Sequence, residues 1–421
     1  MTAEAQRPAS PGQDAGRAGT MLALATVGFA ICFWAWALIS PLGSAFAQEF
    51  GLTSSQQALL VAVPVVVGSI GRIPVGALTD RFGARVMFPL VSALTTVPVL
   101  FIGFAGRSYA TVLLGGFFLG IGGTAFAVGV PLVNAWFPPE RRGLAIGVFG
   151  AGMGGTAISA FTTVQITEAW GRPAPFVIVA VALAAYAVVS WFLLRDAPGR
   201  TPATGSFVAR AWSTLRRPVT LQLSLLYAIG FGGFVAFSVY LPTYLTNAYG
   251  LEHGDAALRT AGFVVLAVAM RPLGGWLSDR VGPVPVLLVC FLAVAALAVL
   301  AALELELLPA GTVAFLGLAA FLGAASGGVF ALVARLVEPS QVGAVTGIVG
   351  AAGGLGGFLP PLVMGVLYGS TGEYALGLVL LAVVSLGTAV FTWRVFGSAA
   401  RSASTQGRTT TAQGTTTEGT T

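Results

Sequence analysis

Two arginines sit in apolar surroundings at matching points of an internal repeat. GRIPVGALTDRFGAR, residues 71–85, opens with Arg72 among apolar residues and closes in a charged turn. The pattern returns 199 positions later in MRPLGGWLSDRVGPV, residues 270–284, where Arg271 takes the place of Arg72. Gly275, Leu277, Asp279, Arg280 and Gly282 repeat Gly76, Leu78, Asp80, Arg81 and Gly83. A guanidinium is a planar fork of donors that suits a flat oxyanion held by two hydrogen bonds. Aromatic faces beside such a pair make a narrow, flat slot. Phe126 in GGTAFAVG and Tyr227 with Phe231 in LLYAIGFGGF are the candidates. Tyr227 and Phe231 are four residues apart and share one helix face. Stripes like this also serve as ordinary membrane core, and spacing alone does not choose between the two.

The elements that carry these residues are set by composition. Of the 421 residues, 56% are hydrophobic and only 9% charged, with a mean hydropathy of +0.89. A soluble domain carries roughly 25% charged residues, so most of this surface is expected to face hydrocarbon. Twelve apolar runs of helix-spanning length are predicted, at about 21–41, 57–79, 86–105, 109–135, 142–163, 174–195, 218–246, 255–279, 284–304, 310–335, 342–369 and 374–396. The lipid bilayer is therefore the chain's first partner.

Arg72 lies eight residues before Asp80, and Arg271 eight before Asp279. Eight helical residues span about 12 Å, which starts both guanidinium groups near the middle of a ~30 Å apolar layer. Snorkelling to the interface is the alternative, but from that depth the reach is long. A charge there costs roughly 3 kcal/mol on some scales and more than 10 on others, so an anion or a watery cavity must offset it. All fifteen carboxylates fall in tails, loops or helix ends, which leaves a mobile anion as the natural counter-charge. The one histidine, His253, falls in an outer loop. A proton relay of intramembrane Asp, Glu or His is not expected. Two unneutralised cations should also oppose closure over an empty site, which favours exchange of one anion for another.

The polar connection 196–217 divides the chain into segments 21–195 and 218–396, flanked by tails 1–20 and 397–421. The first tail is polar and unlike a cleavable signal peptide. The last is rich in Ser, Thr and Gly and is expected to be disordered. A second pair of matching stretches relates the halves. GLAIGVFGAGMGGTA at 143–157 aligns with GAVTGIVGAAGGLGG at 343–357, so Gly143, Gly147, Gly150 and Gly154 fall on Gly343, Gly347, Gly350 and Gly354. Small residues at this spacing let helices approach closely, in static packing or at surfaces that slide. Two parallel six-helix halves are the architecture of carriers that rock around a central site. With both termini inside, only Arg107, Arg172 and Arg259 fall outside among the arginines of the loops and tails. The net charge of +6 is thus a topology signal. It indicates a multi-pass inner or plasma membrane protein with cytoplasmic termini, and no nucleic-acid partner is expected.

The G-x-L-x-D-R-x-G turns at 76–83 and 275–282 resemble the loop motif of the major facilitator superfamily. That resemblance implies a major facilitator fold, an all-α membrane protein with twelve transmembrane helices in two pseudo-symmetric six-helix bundles. It also implies that Asp80, Arg81 and Gly76, with Asp279, Arg280 and Gly275, act in conformational gating. A charged turn with helix caps would explain Asp80 and Arg81 equally well. FAICFWAW, FAVGVPLVNAWFPPERRGLAIG and GAAGGLGGFLPP are similar to the nitrate/nitrite porter family. There, one arginine on helix two and one on helix eight bind the anion, two phenylalanines sandwich it and a tyrosine assists. By resemblance these are Arg72, Arg271, Phe126, Phe231 and Tyr227. The family's helix-five signature usually carries an asparagine, whereas Met153 stands there, and a thioether cannot donate a hydrogen bond.

The expected function is secondary transport of small planar oxyanions by alternating access, as a nitrate/nitrite exchanger. Carriage of another small anion (cyanate, formate or a small organic acid) and proton-coupled nitrate symport are the alternatives. A channel fits the paired gating turns less well. An enzyme is not expected, since no nucleophile-with-base arrangement occurs in the spans. Cys32 and Cys290 both fall inside spans, so neither a disulfide nor a metal site is expected; no cofactor is expected either. The chain is expected to act as a monomer.

Overall fold

In hydrocarbon, a backbone must satisfy its own hydrogen bonds, and a long apolar run does so as a helix. The computed structural model describes residues 11–202, 207–371 and 373–414, and these form helices and turns only. Twelve of the helical stretches are long and apolar enough to cross a membrane. In the first half, span one joins α1 (Pro11–Trp36) and α2 (Ile39–Phe50), and span two joins α3 (Ser54–Ile70) and α4 (Arg72–Phe82). Span three is α5 (Ala84–Ala105), and span four joins α6 (Tyr109–Leu119) to α7 (Ala125–Trp136). Span five joins α8 (Arg142–Gly150) to α9 (Gly155–Trp170), and span six is α10 (Pro173–Leu193).

The connection at 196–217, polar in sequence, contains a short helix, α11 (Phe207–Leu215). It packs against α4 and α16, one from each half. The second half comprises α12 (Pro218–Tyr249), α13 (His253–Val281), α14 (Pro283–Ala302), α15 (Thr312–Leu336), α16 (Val342–Thr371) and α17 (Ala375–Gly414). α17 continues beyond residue 396, where a disordered tail was expected for 397–421. Its first extra turns contain Ala399, Ala400 and Ala403, and alanine is the strongest helix former. Tail 1–20 likewise begins its helix at Pro11, and residues 1–10 lie outside the described residues.

The halves meet along α4 against α16 and α8 against α13. Glycine makes this closeness feasible at two pseudo-equivalent points. A Cβ on Gly147 would lie 2.6 Å from the Pro272 Cα, and one on Gly347 would collide with the Arg72 carbonyl. The seam therefore runs backbone on backbone beside both arginines.

Three spans of the first half are broken near their middles. α3 gives way to α4 at Gly71, three residues before Pro74, whose ring crowds the carbonyl four residues back and which lacks an N–H. Residues Gly120–Thr124 and Ala151–Gly154 wind as 3-10 helix between α6 and α7 and between α8 and α9. The corresponding α13, α15 and α16 are each one uninterrupted helix. Mid-helix 3-10 turns often mark hinges.

Candidate functional site

Arg72 is the first residue of α4, placed there by the break at Gly71. Only 4% of it is exposed, and Arg271 on α13 is 3% exposed. Neither snorkels. The Arg72 Nε donates to the Gly123 carbonyl at 3.0 Å, and its Nη1 donates to the Gly350 carbonyl at 2.8 Å. Gly123 lies in the 3-10 turn of span four, where the tighter winding takes the backbone off the α-helical hydrogen-bond pattern. Arg72 thus ties α4 to span four of its own half and to α16 of the other.

Arg271 is held differently. Its Nη2 donates to the Tyr227 hydroxyl at 3.1 Å, and Met153 Sδ accepts from its Nη1. Its Nε is buried without a partner. A thioether is a weak acceptor, so this guanidinium is under-satisfied where an unmet donor is costly. Neither arginine meets a carboxylate among the described residues. The side-chain ion pairs recorded, Arg172 with Glu49 and Arg259 with Asp255, lie at the end of the bundle remote from the linker.

The aromatic residues complete the site. The Arg72 Cζ lies 5.6 Å from the Phe126 ring centre and 5.9 Å from that of Phe231. The Arg271 Cζ lies 6.0 Å and 5.4 Å from the same two rings. Both cations thus share one pair of phenylalanines, in the range where ring quadrupoles attract them. The Tyr227 ring is nearly parallel to both, tilted 9° from Phe126 and 3° from Phe231. All five residues expected from the sequence converge.

A cavity of about 300 Å³ reaches from Arg72, Met153 and Phe231 past Phe161, Ser238 and Thr260 toward the end away from the linker. The linker end is closed by two carboxylates that cross between halves. Asp80 accepts from the Gly343 and Ala344 N–H groups, each at 2.9 Å, at the start of α16. Asp279 accepts from the Gly143 and Leu144 N–H groups at 2.8 and 2.7 Å at the start of α8. Each aspartate satisfies orphan donors at the positive end of a helix in the opposite half. Gly76 and Gly275 pack on Gly343 and Gly143 in the same layer.

The remaining expected residues divide. Arg81 and Arg280 are exposed and lie over Phe82 and Trp276, their own helix neighbours, rather than across the seam. Gly143, Gly147, Gly150, Gly347 and Gly350 line the seam, and Gly354 packs on Ser69. Gly154 faces open space and packs on nothing. Sequence reasoning missed Phe330, whose ring stands edge-on to Phe126 at 4.8 Å and to Tyr227 at 4.7 Å. Its place in the first half of the repeat is Val130, so a search for matching pairs passes over it.

The sequence profile of the Major Facilitator Superfamily matches residues 25–303 and 223–417. The chain belongs to the Major Facilitator Superfamily. It is 50% identical over 376 residues to the probable nitrate/nitrite transporter NarK2 of Mycobacterium tuberculosis (strain H37Rv), covering 88% of this chain and 95% of that one. It is 37% identical over 372 residues to the nitrite extrusion protein of Bacillus subtilis (strain 168), covering 88% and 92%. Among solved structures, the proton:xylose symporter XylE superposes with a TM-score of 0.75 at 15% identity, covering 91% of this chain and 96% of that one. That likeness shows the fold alone. The superfamily consists of carriers, and this member is a membrane transporter rather than an enzyme.

Proposed function

We propose that this chain carries nitrate and nitrite across the membrane, exchanging one for the other at the Arg72–Arg271 site. The observation that carries the reading is the pair of buried guanidinium groups flanked by the same two phenylalanines, with no carboxylate beside them among the described residues. The names of the relatives, which include a probable nitrate/nitrite transporter and a nitrite extrusion protein, agree with a small planar oxyanion as cargo. Such an ion fits between flat rings and accepts from a planar fork. Its charge supplies what the protein withholds.

The geometry of the gates supports alternating access. The linker end is sealed by Asp80 and Asp279, while the cavity extends the other way from Arg72, with Met153 and Phe231 in its wall. Opening the linker end requires each carboxylate to leave its helix terminus, and the Gly71 and 3-10 breaks give the first half places to bend. The distribution of arginines supports a cytoplasmic side for this end and for both termini. A single chain contains both halves and works as a monomer.

Exchange is favoured over proton symport because the described site contains no titratable relay. The experiment is counterflow in proteoliposomes. Labelled nitrite uptake should depend on nitrate or nitrite inside and ignore an imposed proton gradient. Rapid net uptake into anion-free vesicles driven by a proton gradient would overturn exchange in favour of symport. Saturable counterflow with formate or cyanate but not nitrate would reassign the cargo.

A further inference from the structure

The two aspartate gates are alike in what they grip and unlike in what holds them. In the second half, Arg335 at the end of α15 donates from Nη2 to the Ser278 carbonyl at 2.9 Å and to that of Asp279 at 3.4 Å. It thereby adds a second donor to the Ser278 carbonyl, which the Gly282 N–H already bonds, and bridges it to that of Asp279, fixing the backbone that aims the Asp279 carboxylate. The equivalent carbonyls of α4 are those of Thr79 and Asp80, and they too receive one guanidinium. There the donor is Arg200, whose Nη2 lies 3.2 Å from the first and 2.7 Å from the second. Arg200 belongs to the linker, whereas the position equivalent to Arg335 in the repeat is Ala135. Ala135, Arg142 and Arg200 line a pocket of about 220 Å³ in the space that a longer side chain at 135 would enter.

A second observation repeats the pattern. α14 begins with Pro283, which has no N–H to satisfy at a helix start,. α5 begins with Ala84 and Arg85, whose N–H groups donate to the Asp196 Oδ1 at 2.9 and 3.2 Å. Asp196 is also in the linker. On both sides of the turn that carries Asp80, the second half is self-sufficient and the first half borrows from the linker. The borrowed segment is itself anchored, since Trp136 Nε1 donates to the Arg195 carbonyl at 2.9 Å.

We infer that the linker segment Asp196–Arg200 is a working part of the gate in the first half, with Arg200 the positioning residue for Asp80. Arg335 fills that role within the second half. Release of Arg200 loosens the α4 terminus, misaims Asp80 and opens the seam between α4 and α16. The Asp80 gate thus depends on a linker that leads on to α11 and the other half, and the Asp279 gate does not. The inference rests on reading Asp80 as a gate and is independent of which anion is carried.

The test uses the full chain with Thr346→Cys as reporter. Thr346 is fully buried on α16, between Gly343 beside Asp80 and Gly350 beside Arg72. Both native cysteines are buried, so the chain without the reporter gives the background. Labelling by a hydrophilic maleimide reports opening of the linker end. Arg200→Ala should speed labelling about tenfold, the loss expected for a hydrogen-bonded charged donor. Adding Ala135→Arg should return the rate to near the starting value by supplying the guanidinium from α7, as Arg335 does from α15. Unchanged labelling in Arg200→Ala, or an increase that Ala135→Arg does not reverse, overturns the inference, the second outcome marking a merely structural role. Asp80→Asn is the control: if it too leaves labelling unchanged, the gate reading has failed rather than the role of the linker.

Discussion

The two halves share a sequence pattern and part company in mechanics. The first half is segmented, with spans two, four and five interrupted beside Arg72, Phe126 and Met153. The second half runs unbroken through α13, α15 and α16. The arginines differ in the opposite sense. Arg72, on a segmented span, is fixed by two backbone carbonyls, and Arg271, on a continuous helix, is held by a hydroxyl and a thioether that can turn away. Segmented backbone is thus paired with a side chain held by backbone carbonyls, and continuous helix with one held by other side chains. A repeat preserves the placement of functional groups while leaving each half free to divide the task of moving and holding.

The largest effects test that division at the arginines themselves. Arg72→Ala and Arg271→Ala should each cut nitrite counterflow at least a hundredfold while the protein still inserts, since the counter-charge for the anion is lost. Lysine supplies charge without the fork, so both lysine variants should fall below roughly a tenth of normal rate. Arg271→Lys should retain more than Arg72→Lys, because its present partners adapt. The reverse order would break the contrast between fixed and adjustable cations.

Gating variants come next. Asp80→Asn and Asp279→Asn each remove a carboxylate from a helix N-terminus, an interaction of about 1–2 kcal/mol in partly buried settings. Each should raise reporter labelling at the linker end roughly fivefold to thirtyfold. If the seam acts as one unit, the double variant should do little more than either single one. The smallest effect is expected at Met153. Met153→Leu keeps the volume and removes the acceptor on Arg271, and should change the apparent affinity for nitrite a few-fold with little change in maximal rate. Tyr227→Phe should weaken affinity more, about tenfold, because it removes the oxygen-based partner of Arg271. Equal effects would mean that sulfur and hydroxyl hold the guanidinium alike.

Much of this was legible without coordinates because membrane burial imposes simple rules. The twelve spans followed from apolar runs, and the central arginines from their distance to a charged turn. Arg72 and Arg271 stand out in the repeat itself, while Phe126, Tyr227 and Phe231 stand out through the family resemblance, since spacing alone leaves them open. The breaks were harder to read. Glycine-rich stretches of similar composition, GIGGT and AGMG in one half and GAAGGLGG in the other, wind as 3-10 turns in the first case and as α-helix in the second. Composition permits both, and packing decides. The roles of Arg200 and Asp196 were hidden for a different reason. A charged linker reads as solvated, and only the fold brings those two side chains onto the ends of α4 and α5. Phe330 lay outside any matching pair and carried no signal.

Among the described residues no fixed negative group stands between Arg72 and Arg271, and this has an electrical consequence. An empty site that changed sides would move bare cations through the membrane field, where each unit charge is worth about 2.3 kcal/mol per 100 mV. A one-for-one swap of monovalent ions carries the same total on the outward and return strokes, so the voltage does no net work on it. Under the proposed exchange, the direction of flow is governed by the ratio of the two ions on either side, and consumption of one or export of the other turns the cycle.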